Sequence, residues 1–125
     1  MRQEPYKILT IDDDPDILEA LRTLLEANGY EVVEAVSAEE GLKALKAEEP
    51  DLVIVDLMME EVDAGTSFVT RMRALGGKKI PIYMLSSVGD ELNKSVPYEA
   101  LGLAGVFQKP IQPQRLLQVL EQALD

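Results

Sequence analysis

The chain has 125 residues, a formal net charge of -11, 46% apolar and 5% aromatic residues, and neither cysteine nor histidine. That length suits one domain with an aliphatic core, while the charge argues against direct binding of nucleic acid or an anionic membrane. Disulfides, thiol chemistry, the usual zinc sites and histidine bases are excluded, and no apolar stretch approaches the ~20 residues of a membrane span. No secretory signal opens the chain, so a cytoplasmic protein is expected.

The first apolar run is Lys7 to Ile11, closed by Asp12-Asp13-Asp14-Pro15. Behind it Ile17, Leu18, Leu21, Leu24 and Leu25 recur at helical spacing and make one apolar stripe. Asp14 suits the N-cap, Pro15 the first helical position, and Gly29 the left-handed residue after the helix. A second strand is expected near Tyr30 to Ala35. Ser37 and Glu40 then have capping-box spacing for a helix burying Leu42 and Leu45. Pro50 precedes a third strand, Asp51 to Val55, which ends in Asp56.

An acidic loop from Met58 to Gly65 leads to a third amphipathic stretch with Phe68, Val69, Met72 and Leu75 inward, ended by Gly76-Gly77. Ile80 to Leu85 reads as the fourth strand, followed by Ser86-Ser87. A fourth helix near Asp90 to Leu101 is interrupted by Pro97, which removes a backbone donor. Val106-Phe107 form a short fifth strand before Lys109-Pro110, and a last helix from about Pro113 to Leu124 buries Leu116, Leu117 and Leu120.

Alternating strands and helices without a linker or repeat predict a single doubly wound (βα)5 α/β domain over residues 1–125. The first candidate for its parallel sheet is the flavodoxin-like order 2-1-3-4-5. That order sets strands one and three side by side, so Asp12, Asp13 and Asp56 converge at one edge, where Ser86 and Lys109 also end their strands. Each has a plain reading as a cap or a solvated surface group. Together they ask for more, because clustered carboxylates repel unless a cation joins them.

The chemistry such a set supports is phosphoryl transfer to a carboxylate. Asp56 is the candidate nucleophile, forming an acyl phosphate. A magnesium ion on Asp12 or Asp13 and on Asp56 would neutralise the acids and polarise phosphoryl oxygens. Lys109 offers a second cation, and the Ser86 hydroxyl a hydrogen bond to a phosphoryl oxygen.

With Asp12-Asp13, Asp56-Leu57-Met58-Met59, Ser86 and Lys109-Pro110 in this order, the chain resembles the receiver domain of bacterial two-component response regulators. The resemblance spans nearly the whole chain. It implies that Asp56 accepts phosphoryl from a sensor histidine kinase or phosphotransfer protein. It implies magnesium bound by Asp13 directly, by Asp12 mostly through water, and by the Met58 backbone carbonyl. Ser86 is then the switch hydroxyl, Lys109 pairs with the phosphoryl group, and Lys109-Pro110 is a cis peptide. Such a domain phosphorylates and dephosphorylates only itself. It signals to a downstream protein target or to an output domain beyond these residues, and a dimer linked to phosphorylation is compatible with it.

Three residues depart from the family pattern. Glu60 stands where proline is common, Ala64 where glycine is usual, and Val106 where an aromatic ring often couples hydroxyl motion to output. Phe107 is adjacent but belongs to the opposite face of a strand. Output through a reorganised fourth helix is therefore expected. Met58 and Val88 are apolar and cannot orient a hydrolytic water, so a long-lived phosphorylated state is expected as well. The rival readings are a phosphorylation-independent binding module, an aspartate phosphatase and a flavin or nucleotide carrier. Met58 stands where the phosphatase needs an acid, and three acids replace the carrier's phosphate loop.

Overall fold

Apolar runs five residues long cannot make stable helices, and in the middle of the sheet they form strands buried on both faces. A computed structural model describes residues 5–56, 80–86, 104–108 and 111–124 of the protein, with the side chains of Ala38, Ser86, Val106 and Gln108 outside that description. Its elements are β1 (Lys7–Ile11), α1 (Pro15–Ala27), β2 (Glu31–Ala35), α2 (Ala38–Glu48), β3 (Leu52–Asp56), β4 (Ile82–Ser86), β5 (Gly105–Gln108) and, counting described helices only, α3 (Pro113–Leu124). The strands form one parallel sheet in the order β2-β1-β3-β4-β5, as expected. The anticipated helices within 58–77 and 90–101 lie outside the described residues.

Alternation along the strands divides the core into two layers. Ile8, Leu52, Ile54, Tyr83, Leu85 and Phe107 pack on one face with Leu21 and Leu25 of α1 and Leu116 and Leu120 of α3. Leu9, Ile11, Val53, Val55, Ile82 and Met84 pack on the other with Leu45 of α2. Helices on both faces make the fold doubly wound. Leu116 and Leu120 are fully buried, and Leu117 only partly so.

Caps set the helix ends close to expectation. Asp14 accepts from the Asp16 N–H at 2.9 Å and opens α1, while Gly29 takes φ +87° after its end. Ser37 Oγ accepts from the Glu40 N–H at 3.1 Å, but Glu40 Oε1 faces the Val36 N–H at 3.5 Å rather than that of Ser37. β4 begins at Ile82, two residues later than the apolar run suggests. Pro81 has no N–H for the ladder, and its carbonyl accepts from the Val53 N–H at 3.0 Å.

β5 leans on β4 through aromatic rings. Phe107 and Tyr83 stack with centroids 5.1 Å apart and planes 24° from parallel. Phe107 thus enters the α1/α3 layer. Gly105 makes room for this pair, because a Cβ there would meet Tyr83 Cε2 at 2.9 Å.

At the amino edge of the sheet the charges are matched. The Lys7 N–H donates to Asp51 Oδ2 at 2.8 Å, and the Asp51 N–H returns a bond to the Lys7 carbonyl at 2.7 Å. Lys7 Nζ donates to the Glu48 carbonyl at 3.1 Å and to Glu48 Oε1 at 3.2 Å, with Glu31 Oε2 at 3.6 Å.

Candidate functional site

Register decides which residues leave the sheet together. Ile11 of β1 pairs with Val55 of β3 and with Ala35 of β2. The next residues along β1 and β3 are Asp12 and Asp56, which therefore emerge side by side at the carboxyl edge. Asp12 is fully buried, Asp56 is 6% exposed, and Asp13 is exposed. One ligand oxygen from each of the three lies within 4.8 Å of the others.

Buried hydrogen bonds hold Asp12. Its N–H donates to the Ala35 carbonyl at 3.1 Å, tying the end of β1 to the end of β2. Its Oδ1 accepts from the Asp14 N–H at 2.9 Å. Asp14 was expected only as a helix cap, and this second bond escaped the sequence reading. The signal was available, since an Asp two residues before another N–H is the spacing of an Asx turn.

The two buried carboxylates, Asp12 and Asp56, repel at this separation by roughly 3 kcal/mol at an effective dielectric of about 20, and water screens the exposed Asp13 to about 0.5 kcal/mol. An oxygen-only donor set with one ligand open to water suits a small hard cation that keeps part of its hydration shell. Adjacent oxygens around magnesium lie about 3 Å apart and opposite ones about 4.2 Å, so a group spread over no more than 4.8 Å is close to that size. Asp12, Asp13 and Asp56 thus fit a magnesium site.

The structure brings these three together as the sequence predicts. Ser86 ends β4, where its backbone pairs with Gln108 of β5. That pairing sets the end of β4 beside the residue preceding Lys109. The Ser86 side chain, Met58, Val88, Pro97, Lys109 and Pro110 lie outside the described residues. No helix among the described residues is long and apolar enough to cross a membrane.

Comparison with known proteins agrees with this geometry. The family model for the response regulator receiver domain matches residues 8–121. The transcriptional regulatory protein GlrR of Escherichia coli (strain K12) is 34% identical over 125 residues, 100% of this chain but 28% of that protein. Among solved structures, the chemotaxis response regulator CheY4 of Vibrio cholerae superposes with a TM-score of 0.84 at 31% identity, covering 96% of this chain and 99% of that one. A CheY-like receiver domain protein from Methanospirillum hungatei JF-1 gives a TM-score of 0.86 at 30% identity, covering 98% and 95%. The expectation of no nucleic-acid partner, drawn from net charge, finds no support in a relative named as a transcriptional regulator. Matched by that family's model along most of its length, and carrying its acids at the carboxyl edge, the chain belongs to the response regulator receiver domain family.

Proposed function

We propose that the chain accepts a phosphoryl group on Asp56 from a sensor histidine kinase or phosphotransfer protein and acts as a phosphorylation-controlled interaction switch in the cytoplasm. The observation that carries this reading is the meeting of Asp12, Asp13 and Asp56 at one sheet edge in a receiver-family chain. The whole protein's partners follow as part of the same proposal, with a downstream protein or a linked output domain as the target.

An Asp56 carboxylate oxygen attacks the donor phosphorus, forming an O–P bond as the bond from phosphorus to the donor's nitrogen or oxygen breaks. The donor's leaving group keeps that electron pair. Magnesium, when bound, supplies the positive charge that lets a phosphoryl group approach three acids. Asp12 and Asp13 are the side chains that would hold it beside Asp56, with the Met58 carbonyl as the fourth protein ligand. Near-complete burial of Asp56 removes competing water from the nucleophile. Lys109 is assigned the charge of the transferred group, and the Ser86 hydroxyl a hydrogen bond to one of its oxygens.

Incubation with acetyl phosphate and Mg²⁺, read by intact mass, tests the proposal. Wild type should gain one phosphoryl group, while Asp56→Ala and wild type in EDTA should gain none. A folded wild type that stays unmodified with Mg²⁺ and a competent donor would overturn the assignment.

A further inference from the structure

Two hydrogen bonds connect the first turn of α1 to the carboxylate group. The Asp14 N–H donates to Oδ1 of the buried Asp12 at 2.9 Å, and Asp14 Oδ1 accepts from the Asp16 N–H at 2.9 Å. Asp14 has the extended N-cap backbone, φ -94° and ψ 110°, and its carbonyl accepts from the Leu18 N–H at 3.2 Å. The cap of α1 and the bond to Asp12 thus meet at one residue. The Asp14 N–H is directed at one oxygen of Asp12 while its side chain holds the next N–H along the helix.

We infer that Asp14 is a positioning residue for magnesium, acting through Asp12 rather than as a ligand. This rests on the proposed magnesium site and adds a residue to its support. An oriented carboxylate binds a small cation better than one that samples rotamers, and loss of such outer contacts commonly costs 10- to 100-fold in metal affinity. Because the support is also a helix cap, metal binding and the order of the first turn of α1 are linked. Each stabilises the other by the same factor.

Mg²⁺ affinity measured by calorimetry, together with thermal stability in EDTA, tests the inference on four proteins. Asp14→Ala removes the cap and should weaken Mg²⁺ binding by about tenfold. Asp14→Asn keeps a good cap and removes one exposed charge. In about 0.15 M salt it should lose no more than roughly threefold. Ser37→Ala removes the cap of α2 instead, at a helix that holds no proposed ligand. Both cap deletions should lower the melting temperature by roughly 3–5 °C, yet Ser37→Ala should bind Mg²⁺ as wild type does.

Equal affinity of Asp14→Ala and wild type would overturn the positioning role. So would an Asn variant as weak as the Ala variant, which would mean that charge alone matters, or a comparable loss in Ser37→Ala, which would mean that stability alone matters. A wild type that binds no Mg²⁺ would overturn the magnesium site itself, a separate failure.

Discussion

The two edges of the sheet handle charge in opposite ways. At the amino edge, Lys7 meets Glu48 and Glu31, and its backbone exchanges hydrogen bonds with Asp51. At the carboxyl edge, Asp12, Asp13 and Asp56 gather like charge within 4.8 Å. The first arrangement lowers the energy of the fold as it stands. The second raises the energy of the fold as it stands and has the make-up of a site for a small cation. Stability and function are thus separated along the strands, with the apolar residues of β1 and β3 between them.

That separation can be broken from either end. Mg²⁺ at about 100 times its dissociation constant should stabilise wild type by about 2.7 kcal/mol in urea unfolding. For Asp13→Asn the gain at the same concentration should be no more than about half of that, while relief of repulsion raises its stability in EDTA by about 0.5 kcal/mol. An acid whose loss both stabilises the fold and weakens its response to metal marks the functional edge.

The opposite sign is expected at Asp51. Asp51→Ala leaves the Lys7 N–H without its charged acceptor and should cost about 2 kcal/mol. Mg²⁺ affinity should be unchanged. A shift in affinity would show that the two edges are coupled through β1 and β3.

Alkaline titration sharpens the same comparison. The hydrogen bond from Lys7 Nζ to Glu48 holds the ammonium above its ordinary pKa of 10.5, with desolvation opposing and Glu31 adding. A raised folded value gives stability that is fully present below 10.5 and lost as pH rises through the folded pKa. Lys7→Met should flatten this alkaline loss in unfolding curves and leave phosphoryl uptake at neutral pH intact. The smallest effect is expected at Glu49, a non-glycine residue with φ 49° and ψ 61° ending α2. Glu49→Gly trades left-handed strain against added chain freedom, for a net gain of about 0.5 kcal/mol.

Much of this was legible in the chain itself, for definite reasons. β1 and α3 fall where periodicity puts them, because apolar spacing records which side of each residue faces the core. Convergence of Asp12 and Asp56 follows from strand order plus register, and the acidic ends of two apolar runs already hinted at it. The bond from the Asp14 N–H to Asp12 is carried by Asx-turn spacing, which apolar periodicity does not record. The start of β4 was misplaced because Ile80 and Pro81 continue an apolar run that the hydrogen-bond ladder cannot follow. The stacking of Phe107 on Tyr83 is not legible in the alternation of either strand, because ring contact between strands depends on register.

The space above Gly105 has a consequence for anyone reshaping this protein. Residues 83 and 105 are neighbours across the sheet, one supplying a ring and the other the room for it. Alanine at 105 alone forces the tyrosine ring to shift, whereas alanine at 105 with leucine at 83 exchanges one filling for another. The two positions are therefore to be varied together rather than one at a time.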